Sequence, residues 1–288
     1  MKKIFLTTTT AVFLLLSTNG IQAQTTQTQL NQVCLDNTEQ FSITSKYVEG
    51  ETYIIQVGLP VNYSNLQKSY PVLYVLDGDK EFGMAKEIAE CLILGNDIKD
   101  IIVVGISYGQ GVDAWWNKRA RDLTPSKDTI WDMGKQFLNA GGADNFLKFI
   151  QYELFPVVNK NYRIIPDSIS IFGHSFGGLF CSYILFKQPE LFKGYIIGSP
   201  PVIWNNKSLL KLEAEYFRNH KELNNIVYFN IGSLEDKEFI NLLNELIQNI
   251  QAHNYKGLRL VTQIFEGETH VSSPSVALNH GLRTLFKP

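Results

Sequence analysis

The chain has 288 residues, of which 44% are hydrophobic, 12% aromatic and 19% charged. That is enough apolar side chain for one large α/β domain of about 250 residues or two small ones, and it excludes disorder over most of the length. Lys+Arg 26 against Asp+Glu 28 gives a net charge of −2 with no basic run, which excludes a nucleic-acid footprint and a polybasic membrane patch.

Residues 1–23 read as a cleavable secretory signal. Lys2 and Lys3 form a positive start, the apolar stretch Ala11 to Leu16 follows, and a polar break leads to the small residue Ala23 before Gln24. The apolar part is too short to span about 30 Å of hydrocarbon, and no other segment is long enough. A periplasmic or secreted protein without a membrane span is expected. Residues 24–40, polar and rich in Gln and Thr, read as a flexible N-terminal arm, and residues 41–288 as the folded domain.

From Phe41 the pattern turns to β, with runs Phe41 to Tyr47 and Thr52 to Leu59 joined by the turn Val48-Glu49-Gly50-Glu51. The apolar runs Val72 to Leu76 and Ile101 to Ile106 enclose helical spacing over Lys80 to Leu94. The alternation continues through helix 145–159, strand 169–172, helix 178–186, strand 194–197 and helix 209–219. It ends with strand 226–231, helix 237–253, strand 259–265 and helix 275–286. Near-continuous apolar strands alternating with amphipathic helices predict a mostly parallel eight-stranded sheet with helices on both faces. Residues 110–143 are too long for a simple strand-to-helix connection and read as a functional insertion.

Three cysteines, Cys34, Cys91 and Cys181, are too few for a disulfide scaffold, and no Cys/His spacing resembles a metal site. No metal and no cofactor are expected. The chemistry concentrates at Gly173-His174-Ser175-Phe176-Gly177-Gly178, which fits G-x-S-x-G between a strand and a helix. Small residues on either side let such a serine stand on a strained turn with its hydroxyl above the sheet. Proteins with this turn carry nucleophile, acid and histidine in that chain order, so the base comes late. His270, after the last strand, meets that requirement, whereas His280 lies in the final helix pattern.

The acid follows the strand ending at Ile231: Glu235 is the first candidate and Asp236 the alternative. The backbone N–H of Phe176, with an N–H of Gly78 or Asp79 after strand 72–76, is the expected oxyanion hole. Trp115, Trp116, Arg119 and Arg121 in the insertion are candidates for binding an anionic or aromatic substrate, and pairing with nearby acids is the competing role for the two arginines.

At these residues the chain resembles the esterase D family of α/β-hydrolases, which includes enterochelin-type siderophore esterases and is related to feruloyl esterase domains. The resemblance rests on 70–78 (YPVLYVLDG), Val104-Gly105-Ile106, 119–125 (RARDLTP), the serine turn and Gly267-Glu268-Thr269-His270. It implies the α/β-hydrolase fold and ester hydrolysis through an acyl-serine intermediate, with Ser175 as nucleophile and His270 as base. A siderophore ester is the first substrate expected, and a feruloyl or acetyl ester on a glycan the alternative. A non-catalytic binding protein on the same scaffold is the competing reading.

Overall fold

Strand β3 (Tyr70–Val75) is buried at all six positions, and its side chains alternate between two apolar clusters: Val72 and Tyr74 join one, Leu73 and Val75 the other. A strand buried on both faces needs a layer of helices above and below it. This computed structural model describes residues 34–65, 67–109 and 111–288. The expected signal peptide, and residues 24–33 of the expected arm, lie outside the described residues.

The other strands are β1 (Thr38–Thr44), β2 (Thr52–Gly58), β4 (Ile102–Ser107), β5 (Ile164–His174), β6 (Gly194–Gly198), β7 (Ile226–Gly232) and β8 (Arg259–Phe265). With β3 they form one sheet in the order β1-β2-β4-β3-β5-β6-β7-β8. β2 is antiparallel to both β1 and β4, and the remaining neighbours run parallel. β1 starts at Thr38, so three residues assigned to the arm belong to the sheet. Thr38, Glu39 and Gln40 carry no apolar signal; they are recruited by pairing with Gly58, Val57 and Gln56.

Helices α1 (Gly78–Leu94) and α8 (Ser273–Leu285) cover one face, through Phe82, Ala85, Ala89, Ala277, Leu278 and Leu282. The opposite face carries α5 (Phe176–Lys187), α6 (Trp204–Asn219) and α7 (Lys237–His253). Every residue of α5 from Phe176 to Phe186 is buried, as expected of a helix that is apolar all round. α3 (Ala143–Phe149), a π-helical turn (Ile150–Leu154) and α4 (Phe155–Asn161) follow one another where the sequence predicts a single helix. Pro156 has no N–H to donate within α4, and the wider turn just before it absorbs the missing bond.

The described part of the insertion contains a helix the spacing did not predict, α2 (Val112–Asp122). The segment after it is pinned at both ends. Thr124 Oγ1 donates to Ala120 O and accepts from the Gly141 N–H. Asp128 accepts from the N–H groups of Ile130, Trp131 and Asn205, and Trp204 Nε1 donates to Ser126 O. The insertion is thereby fastened to α6 above the carboxyl ends of the parallel strands, the side of such a sheet where ligands bind.

Candidate active site

β5 ends at His174 and α5 begins at Phe176, which leaves Ser175 alone on the turn with φ 60 and ψ −120. Positive φ strains a residue that carries a Cβ, and the surroundings hold it there. The Ser175 N–H donates to Gly198 O and the Ser175 carbonyl accepts from the Leu179 N–H, both at 2.9 Å. A Cβ at Gly173 would strike the Gly177 carbonyl, and one at Gly178 the Gly198 carbonyl. Glycine at both places lets strand, turn and helix approach this closely.

His270 lies on the loop between β8 and α8, and its Nδ1 is 2.7 Å from Glu235 Oε2. Glu235 Oε1 accepts from Ser199 Oγ at 2.6 Å and from the Gly232 N–H at 2.9 Å. Burial pushes the Glu235 carboxyl up, but the bonds from His270, Ser199 and Gly232 outweigh it and hold its pKa below the ordinary glutamate value. An ionised carboxylate only accepts, so Nδ1 of His270 carries the proton and Nε2 is left as an acceptor. Of the two carboxylates considered, Glu235 meets the histidine. Asp236 instead caps α7, accepting from the Glu238 N–H at 2.7 Å.

Two cavities meet at these residues. Ser175, His270, Trp116 and Val271 line both. The larger, about 580 Å³, is completed by Lys80, Glu81, Trp115 and Arg119 among others, and the smaller, about 470 Å³, by Trp131, Phe137, Phe176 and Phe239. Trp116, half-exposed, stands between them.

Phe176 opens α5, so its N–H has no intrahelical acceptor. Gly78 and Asp79 open α1 in the same way, yet Asp77 is the residue of that turn that lines the cavity. The Asp79 carboxylate turns away, accepting from the N–H groups of Tyr108 and Gly109 at 2.7 and 2.8 Å. The turn does lie against the start of α5: Asp77 Oδ2 is 3.5 Å from where a Cβ of Gly177 would stand.

Trp115, Trp116 and Arg119 line the larger cavity, and the Arg119 guanidinium lies 4.7 Å from the Trp115 ring and 5.1 Å from the Phe176 ring. Arg119 is buried, with Nε and Nη2 both donated to Asp77. Arg121 departs from the expectation of a substrate contact. It lines neither cavity and is held by Asp122 and Glu51, two buried carboxylates that capture the nearest guanidinium. His280 lies against Phe265 on α8 and outside both cavities.

The sequence pattern does not single out Asp77, Glu81 or Ser199. Asp77 stood in plain view beside Gly78, but its left-handed backbone (φ 52) and its clamp by Arg119 belong to the tertiary structure. Ser199 follows β6 with no motif around it, and Glu81 is one acid on an ordinary amphipathic helix.

The Esterase family model, described as "Putative esterase", matches residues 45–273. The chain belongs to this esterase family. The esterase is 30% identical over 257 residues to the ferri-bacillibactin esterase BesA of Bacillus subtilis, covering 83% of this chain and 86% of that protein. It is 29% identical over 289 residues to the siderophore triacetylfusarinine C esterase of Aspergillus fumigatus, covering 88% and 95%. The crystal structure of BES protein from Bacillus cereus superposes with a TM-score of 0.81 at 33% identity, covering 91% of this chain and 99% of that one. The eight-stranded sheet with helices on both faces is the α/β-hydrolase fold, and the esterase is a hydrolase of ester bonds.

Proposed function

We propose that this protein is an exported serine esterase that cleaves an ester bond of a siderophore through an acyl-serine intermediate. The observation that carries the reading is the bond between His270 and ionised Glu235 (2.7 Å) in cavities that also hold Ser175 on its strained turn.

Ser175 Oγ attacks the ester carbonyl while Nε2 of His270 takes its proton, and Glu235 stabilises the imidazolium that forms. The carbonyl oxygen becomes an oxyanion beside the Phe176 N–H, with the turn at Gly78 and Asp79 supplying the second donor. The C–O bond to the leaving group breaks, and the departing oxygen receives the proton from His270. A water molecule then gives a proton to His270 and attacks the acyl-serine, which releases the acid and restores the Ser175 hydroxyl.

Siderophore esters are favoured because two relatives aligned over most of the chain are named as siderophore esterases. The cavity walls agree: Trp115, Trp116, Trp131 and Phe137 offer aromatic faces, and Lys80 places a cation 5.9 Å from the Trp115 ring. Export is supported by the signal pattern of residues 1–23.

The test is labelling of the folded protein by a fluorophosphonate, expected for the parent and lost in Ser175→Ala. Absence of labelling in folded parent protein overturns the esterase mechanism. A catecholate trilactone is expected to be hydrolysed with a higher kcat/KM than p-nitrophenyl butyrate or a feruloyl sugar, and the reverse order overturns the substrate. Mass spectrometry of protein recovered from the periplasm or medium is expected to find Gln24 at the N-terminus.

A further inference from the structure

We propose that Ser199 is a positioning residue for this site, holding Glu235 in the orientation from which it steers His270. The inference rests on Ser175, His270 and Glu235 acting as proposed above.

Ser199 directly follows β6 and has φ 42, a conformation that residues with a Cβ rarely adopt. It is 4% exposed and lies at the wall of the smaller cavity. Its hydroxyl is committed to Glu235 Oε1 at 2.6 Å, an oxygen that also accepts the Gly232 N–H, while Oε2 is left for His270. The two carboxylate oxygens thus have separate partners, drawn from the ends of β6 and β7 and from the loop after β8. Three donors fix the plane of the carboxylate, and a hydroxyl bonded to an ionised acceptor is among the stronger neutral donors.

The same strand end also holds the nucleophile. Ser175 N–H donates to Gly198 O, and Ser199 N–H donates to Asn230 O at 2.8 Å. The peptide joining Gly198 to Ser199 therefore ties the serine turn to β7, and the Ser199 side chain on the same residue reaches the acid. Of the other charged or titratable groups around Glu235, Asp236 is turned to its own helix and His174 lies beside His270, with ring centroids 4.6 Å apart. A glycine would fit the backbone of position 199 without strain. The chain carries serine there, and the hydroxyl is what the strain retains.

Ser199→Gly separates the two roles. Removing the Cβ relieves the backbone and offsets much of the lost hydrogen bond to Glu235, so the unfolding midpoint is expected to stay close to that of the parent. Turnover of p-nitrophenyl butyrate is expected to fall about tenfold in kcat with KM within twofold, the scale of one hydrogen bond to a charged group. The acidic limb of the kcat/KM profile is expected to move to higher pH, because Glu235 loses a donor that favours its ionised form. Ser199→Ala, which keeps the Cβ, is expected to show the same kinetic change. Rates of the parent and the Ser199 variants are expressed per fluorophosphonate-titrated site, so a misfolded fraction drops out, and that of Ser175→Ala, which offers no such site, per folded protein. Parent-like kcat per site with a superimposable pH profile in Ser199→Gly overturns the proposal. Ser175→Ala runs alongside: if it still turns over, the serine mechanism fails, and if it is inactive while Ser199→Gly is fully active, only the role of Ser199 fails.

Discussion

Arg119 reaches from α2 to the turn after β3 and binds both oxygens of Asp77, Nε to Oδ1 and Nη2 to Oδ2, each at 2.8 Å. Both residues are buried, and the paired fork holds the insertion against the start of α1. Removing one member of a buried pair leaves the other charge without compensation, which costs about 3–5 kcal/mol. Arg119→Ala is therefore expected to lower stability by about that amount, while Arg119→Met with Asp77→Asn recovers part of it because no lone charge remains buried. Urea unfolding of Arg119→Met, Asp77→Asn and the variant that combines them reads the coupling, with Arg119→Ala as the uncompensated reference. Equal additive losses would mean that the pair does not act as a unit.

Much of this architecture was legible because the parallel strands are apolar on both faces. β7, β8 and α7 emerge within a residue of the boundaries that their patterns imply, and the serine turn is marked by Gly173 and Gly178, where a Cβ would strike backbone carbonyls. Chain order singles out His270 and one strand end Glu235 and Asp236, and the structure brings Glu235 to 2.7 Å from the His270 ring. What stayed hidden was whatever depends on partners distant in sequence. Arg119 and Arg121 stand two residues apart on one helix, yet one meets Asp77 and the other Glu51, and only the fold decides which guanidinium reaches the cavity. α2 escaped because its turns are polar and of its two tryptophans, both on a cavity wall, only Trp115 also packs on the core. The strain at Ser199 has no sequence signature, since a positive φ there is imposed by the strand end and by Glu235.

Glu81 lines the larger cavity with its Oε2 buried and without a hydrogen bond among the described residues. Burial, and secondarily the charge of Asp77, push its carboxyl up to about 7. A carboxyl raised from 4.5 in the folded state favours the protonated form of the fold, so stability falls as pH rises from about 4.5 to 7 and then levels. Glu81→Gln is expected to match the parent near pH 4.5 and to be the more stable of the two at pH 8, as read from urea midpoints. The same ionisation adds negative charge beside Ser175. The KM for an anionic ester is expected to rise through pH 7 in the parent and to stay flat in Glu81→Gln, while a neutral ester shows no such change. A parallel rise in both proteins would remove Glu81 from the binding site.

His174 titrates in the opposite sense. It is buried beside His270, and burial, helped by the neighbouring His270 charge, pushes its pKa down to about 3. The unfolded chain binds a proton here near 6.5 and the folded chain does not, so the stability of the neutral form is complete above about pH 6.5 and is lost progressively as pH falls toward 3. At pH 5 the loss is expected to reach about 2 kcal/mol, from about 1.4 kcal/mol for each pH unit below 6.5. Measurement in the Glu81→Gln background removes the opposing slope of that carboxyl between pH 4.5 and 7. In that background His174→Asn, which cannot titrate, is expected to show a flatter dependence of urea midpoint on pH between 6.5 and 4.5. Identical slopes with and without His174 would mean that its ring takes up a proton without cost, and that the acid sensitivity of the fold lies elsewhere.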